Sequence, residues 1–122
     1  MQKYLYLGVG GLAGTFARYF LSMIVQRASG MDFPVGTLAV NILGCVIIGI
    51  FTAFGEERGL SPEAGLLLIT GFCGAFTTFS AYIFETHRLF GIGQIAKAAC
   101  YIAASTALGL AAFRGGFLIF SR

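Results

Sequence analysis

Two stretches of the chain, residues 33–55 and 64–84, contain no Asp, Glu, Lys, Arg or His side chain. A helix needs about 20 consecutive apolar residues to cross the hydrocarbon core of a bilayer, so each stretch is long enough for one span. Two more candidates flank them. Residues 4–25 are interrupted by Arg18, and residues 94–113 carry Lys97 near their start, where its stem can snorkel to the headgroups. The runs are too long and too unalternating for barrel strands. The sequence predicts an all-α membrane protein with transmembrane helices at about 4–25, 35–54, 62–84 and 94–113, in one domain over residues 1–122. Composition agrees: 57% of residues are apolar and 11% charged, with mean hydropathy +0.86, where soluble domains average about 25% charged. A chain of 122 residues has too much surface for its volume to hide that apolar content from water. A soluble monomer is excluded, and so is a two-domain enzyme.

The charges exclude other classes. A net charge of +3 from 8 basic residues, scattered along the chain, builds no nucleic-acid surface. Cys45, Cys73 and Cys100 stand singly in apolar runs, with neither metal-ligand spacing nor the even count of a disulfide framework. The first apolar run lacks a small-residue cleavage site and leads through Arg18 into more apolar sequence, so it reads as a span rather than a leader. The expected location is the inner, or plasma, membrane. No Ser-His-Asp grouping, acid pair or phosphate loop is present, and the reading is not an enzyme.

Turn chemistry separates the spans. Asp32 and Pro34 are expected to open the second helix, and Ser61, Pro62 and Glu63 supply an N-cap, an N1 proline and an acid against the dipole for the third. Gly91 and Gly93 mark the next loop, and Gly115-Gly116 predicts the end of the fourth helix. Most of the 18 glycines fall inside the helices. Gly10 and Gly14 share a face with Arg18, and Gly8, Gly11, Gly36, Gly44, Gly49, Gly71, Gly74 and Gly109 add small positions of the kind that let helices approach in lipid. That density favours an oligomer. With a cytoplasmic N-terminus, Lys3, Arg58, Arg114 and Arg122 lie inside and Arg27, Arg88 and Lys97 outside. Topology follows Lys/Arg bias, and four against three is almost none: a chain that inserts both ways and a weak bias toward one orientation both fit.

Polar groups within spans are costly and mark function by default. Here they are Arg18 in the first helix, Asn41 in the second, a run from Thr70 through Gly74, Thr77, Thr78 and Ser80 in the third, and Tyr101, Ser105 and Thr106 in the fourth. The Gly74–Ser80 cluster weakens helical continuity near mid-span, and irregular backbone at that depth must be buried or line a cavity. Phe79 and Tyr82 share a face beside Ser80, and ring edges carry partial positive charge. The lining is one of donors rather than acids; Glu85, at the predicted end of the third helix, is the nearest carboxylate, and His87 beside it reads as an interfacial residue. A small dual-topology multidrug or cation transporter shares this size, but it needs an acid in mid-helix 1, which is absent. A non-transporting membrane subunit explains the glycines, but not Arg18, Asn41 and the weakened third helix together.

Three motifs in order now stand on three helices: Gly10, Gly11 and Gly14 with Arg18-Tyr19; Gly36-Thr37 with Asn41 and Gly44; and Gly71 and Gly74 running into Thr77-Thr78-Phe79-Ser80. With these the chain resembles the Fluc fluoride channels, the CrcB-like family, along its whole length. The resemblance implies an antiparallel, dual-topology homodimer with the third helix broken at mid-membrane and two fluoride pores at the subunit interface. It implies passive export of fluoride down its gradient, and it admits a paired homologous subunit as partner. On this sequence the implied pore residues are Asn41, Phe79, Ser80 and Tyr82, with Tyr101, Ser105 and Thr106 on the fourth helix; Arg18 and Glu85 are implied for the vestibule. A structural sodium ion is implied on backbone carbonyls of Gly74 and Thr77 from both copies. Ala81-Tyr82 departs from the family's usual Thr-Phe, removing one hydroxyl and adding another. Fluoride holds water tightly, so a pore must offer compensating donors, and the Asn41 amide, the Ser80 hydroxyl and ring edges can supply them.

Overall fold

The computed structural model describes residues 1–121; Arg122, counted above among the loop charges, lies outside the described residues. The chain forms four helical spans. The first is α1 (Gln2–Ser29) and the second α2 (Val35–Arg58). The third begins as α3 (Pro62–Ala64), continues through a π-wound stretch (Gly65–Cys73) into α4 (Gly74–Phe76), breaks at Thr77-Thr78, and resumes as α5 (Phe79–Gly91). The fourth is α6 (Ile95–Phe120).

The helices outrun the predicted limits at most ends because charge-free sequence marks the hydrocarbon depth and not the helix. Beyond the core, Arg27 and Arg58 occupy last turns, where cations favour the dipole. Two expected end signals act differently. Gly115-Gly116 does not stop the fourth helix, which runs on to Phe120: lipid gives a helical backbone no competing partner. The second helix has no side-chain cap from Asp32; instead Gln26 of α1 accepts from Gly36 N (3.0 Å) through Oε1 and donates through Nε2 to the carbonyls of Met31 (2.9 Å) and Phe33 (3.0 Å). Ser61 caps as predicted, accepting from Ala64 N at 3.2 Å. Gly30, at φ 60°, ends α1 in the left-handed conformation that glycine adopts freely.

Packing is by backbone approach. The first half of the third span lies along α1, and α2 lies along α6. A Cβ at Gly10 would overlap the Leu67 carbonyl, and one at Gly14 the Phe72 carbonyl; on the other side of the molecule, Gly49 faces the Phe113 carbonyl and Gly116 that of Val46. Without a hydrophobic force between helices in lipid, such contacts hold the subunit together. Gly8 and Gly11, by contrast, meet nothing within 4 Å among the described residues. Large side chains such as Leu12, Phe16, Phe84 and Leu110 point outward, as lipid allows. Val40, Ala53, Cys73 and Phe76 are buried between the helices, and Leu89, Ala98 and Tyr101 form a small buried cluster with Phe33, Leu38 and Tyr82 against it. After the break the third span leaves α1 and packs on α6, so the interruption is where the chain changes neighbours.

Gly14→Leu should cost at least the roughly 1–3 kcal/mol of an overpacked site, because the obstacle is backbone. Gly115→Ala, which meets nothing within 4 Å, should be neutral. Thermal melting of helicity in detergent separates them; equal melting of both variants would mean that α1 does not seat on the third span as described.

Candidate anion conduit at the broken third span

Thr77 (φ −84°, ψ 154°) and Thr78 (φ −144°, ψ 117°) are extended, which leaves backbone groups unpaired where lipid offers nothing. Asn41 of α2 meets both groups of one residue: its Nδ2 donates to Thr78 O (3.0 Å) and its Oδ1 accepts from Thr78 N (2.8 Å). Arg18 reaches from α1 and donates through Nε to Ala75 O (3.1 Å). Thr77 Oγ1 donates back to Cys73 O (3.0 Å), and Thr78 Oγ1 caps α5 by accepting from Ala81 N (3.2 Å). Those pairings have a consequence for the carbonyls. The donor that an unbroken helix would bring to Gly74 O is Thr78 N, and the donor to Thr77 O is Ala81 N; both are engaged elsewhere.

Gly44 makes the approach possible, since a Cβ there would overlap the Thr77 methyl. On the far side of the break, aromatic rings run in series. Phe79, 75% exposed, lies 5.7 Å from Tyr82 between centroids, and Tyr82 lies 5.2 Å from Tyr101. Tyr101 is fully buried, and Phe33 packs on it at 5.5 Å and 78°.

The sequence-predicted residues separate into groups. Asn41, Gly74, Thr77, Phe79, Tyr82, Ser105 and Thr106 line one open groove of about 510 Å³. Ser105 Oγ is out of contact with solvent and without a hydrogen-bond partner, whereas Thr106 bonds back to Ile102 O (3.1 Å). Ser80 is exposed beside the groove, 3.4 Å from the Thr78 hydroxyl. Arg18 and Glu85 do not share a place: Arg18 serves the end of α4, and Glu85 sits within α5. The span continues to Gly91, so Glu85 is not at its end. Its Oε1 accepts from Thr37 (2.6 Å) and its Oε2 from Tyr101 (2.7 Å). Thr37, itself buried, stands in the second-helix motif but carries no site role in the sequence reading; its signal is the four-residue spacing to Asn41, which puts both on one face of α2. Among the described residues no group of three or more His, Cys, Asp or Glu side chains could hold a metal ion.

Residues 5–117 match the family described as CrcB-like protein, Camphor Resistance (CrcB). The chain belongs to the CrcB-like family. It is 48% identical over 120 residues to the fluoride-specific ion channel FluC of Maridesulfovibrio salexigens, covering 98% of this chain and 95% of that protein. It is 46% identical over 120 residues to the channel of the same name from Chlorobaculum tepidum (98% and 94%). To that of Nitratidesulfovibrio vulgaris it is 46% identical over 112 residues (91% and 90%). As a CrcB-like chain with four membrane-spanning helices, it is a multi-pass membrane protein.

Asn41→Leu strips both backbone groups of Thr78 of their partner, at about 1–3 kcal/mol for each buried group left unsatisfied. Asn41→Asp should fare no better, because it sets a carboxylate oxygen against the Thr78 carbonyl at membrane depth. Chemical denaturation in detergent that leaves both variants as stable as the parent would remove Asn41 from its place at the break.

Proposed function

We propose that the chain forms a passive, fluoride-selective channel that lets the ion leave the cytoplasm down its gradient. The observation that carries this reading is the groove at the break: none of its lining residues is Asp, Glu, Lys or Arg, yet it offers polar groups at depth. Asn41 spends one amide hydrogen on Thr78 and keeps the second; the unpartnered Ser105 hydroxyl and the exposed edge of Phe79 complete a set of donors. A small anion that holds its water tightly needs such compensation, and neutral donors let it go again. The name shared by the relatives, a fluoride-specific ion channel, supports fluoride as that anion. A multidrug-transporter reading lacks its acid in α1, whose residues include no Asp or Glu.

The working unit is a dimer in this reading. The groove is open along one side and Phe79 is 75% exposed, so a second copy packed antiparallel would close two grooves into two pores. The near-equal Lys/Arg count on the two sides supports dual insertion, with a homologous subunit as the other partner the family admits. The carbonyls of Gly74 and Thr77, released by the break, fit a structural sodium ion shared between copies. Such an ion supplies positive charge to carbonyls that have lost their helical donors.

Fluoride-electrode efflux from liposomes holding purified protein tests the reading. Phe79→Ile should abolish efflux with dimer recovery on size exclusion unchanged, since isoleucine keeps apolar bulk and removes the ring edge; a packing role alone predicts less than about 1.5 kcal/mol. Tyr82→Phe should retain efflux, because the ring contacts of Tyr82 survive the change. Normal efflux from Phe79→Ile would move the pore elsewhere. Replacing sodium with a large organic cation should lower efflux, and Thr77→Ser, which keeps the backbone carbonyl, should not; efflux indifferent to the cation would remove the ion. C-terminal reporters active on opposite sides of the membrane should both give signal, and signal from one alone would exclude dual topology.

A further inference from the structure

Glu85 borders a second cavity, apart from the groove. It has a volume of about 280 Å³ and lies where the loop between α1 and α2 meets α5, with Gln26, Asp32, Glu85 and Arg88 as its polar lining. Glu85, Arg88 and Leu89 are spaced i, i+3, i+4 on one face of α5 turned to the cavity, and Ile92 joins them from just beyond its end. Most of the polar groups are engaged. Gln26 holds three backbone groups, and Glu85 accepts from Thr37 and Tyr101. The Asp32 carboxylate lies 3.6 Å from Lys97 Nζ, which also donates to the Asp32 carbonyl at 3.2 Å. Among the described residues, the Arg88 side chain alone of the lining charges makes no hydrogen bond or ion pair.

Glu85 of this cavity bonds Tyr101, whose ring lies 5.2 Å from that of Tyr82 in the groove lining. We infer that the cavity is the mouth of the groove, where two bare carboxylates would turn an anion away, and that Arg88 and the Asp32–Lys97 pair set its charge, Arg88 drawing the anion in while Lys97 masks Asp32. The inference rests on the fluoride-channel reading and assigns residues outside the groove at the break. The Asp32–Lys97 pair is solvent-exposed, at 86% and 44% of its side chains, so its worth for stability is small. Its effect on the local potential does not depend on that worth. The forces involved are long-range and exposed, with a reach of about 30 Å at 0.01 M salt and 3 Å at 1 M, so ionic strength is the diagnostic.

The experiment is initial fluoride efflux from liposomes at low and high concentrations of an impermeant salt, with dimer recovery checked by size exclusion. Arg88→Gln should slow efflux several-fold at low salt and much less at high salt, and Arg88→Lys should restore it. Lys97→Met should slow efflux at low salt by exposing Asp32, and the double variant Lys97→Met/Asp32→Asn should recover. That rescue leaves the Lys/Arg count of the single variant unchanged, so altered insertion cannot produce it. Should Arg88→Gln fail to assemble, the Lys97 and Asp32 variants decide alone. Wild-type efflux with unchanged variants, or losses that ignore salt and resist Asp32→Asn, would overturn the inference while leaving the channel reading intact. Wild-type vesicles that pass no fluoride would overturn both.

Discussion

The pairing of one Asn41 amide with both backbone groups of Thr78 makes an interrupted helix tolerable inside a membrane. Two extended residues at that depth expose donors and acceptors to a medium that cannot answer them, and side chains must answer instead. Asn41 does so from α2 and Arg18 from α1, while the threonines serve their own segments. With the break secured, α5 departs from α1 toward α6, Phe79 turns outward, and carbonyls are released without a helical donor. A continuous helix would present none of these features.

Close approach of backbones does the work that a hydrophobic core does in water. Gly10 and Gly14 seat α1 on the third span, and Gly49 and Gly116 seat α2 and α6 on each other. Those contacts fix where Asn41 and Thr78 stand relative to one another, since the two belong to helices that share few other polar links. Gly44 is the meeting point of both devices: it is a small residue whose vacancy admits the Thr77 methyl, three positions along α2 from the side chain that holds Thr78.

Much of this was legible in the sequence, for reasons that are local. Charge-free length gives the spans, Ser61-Pro62 gives a start, and Thr77-Thr78 after Gly74 gives the interruption. The polar residues of the groove were visible as costly exceptions within apolar runs. Other features depend on partners distant in the chain. Thr37 and Glu85 are 48 residues apart, and a buried threonine near a helix start looks like any other until the carboxylate is placed. Gln26 takes over the capping expected of Asp32 because the folded loop brings three backbone groups to its amide. Gly115-Gly116 reads as a stop in water, yet in lipid the helix runs through it and Gly116 is a contact. The resemblance implies both Arg18 and Glu85 for the vestibule; within one subunit the first answers a carbonyl and the second gathers hydroxyls, partners that no local pattern announces.

The π-wound stretch Gly65–Cys73 sits between the Ser61 cap and the break, and its wider turn sets how far the chain has rotated on arriving at Thr77. A π segment behaves as residues inserted into an α-helix. Losing one residue there would let the backbone relax toward ordinary winding and turn all that follows about the helix axis, carrying Thr78 away from Asn41 and Gly10 off its neighbour. The interval from 65 to 73 is a length standard that the rest of the molecule is cut to match.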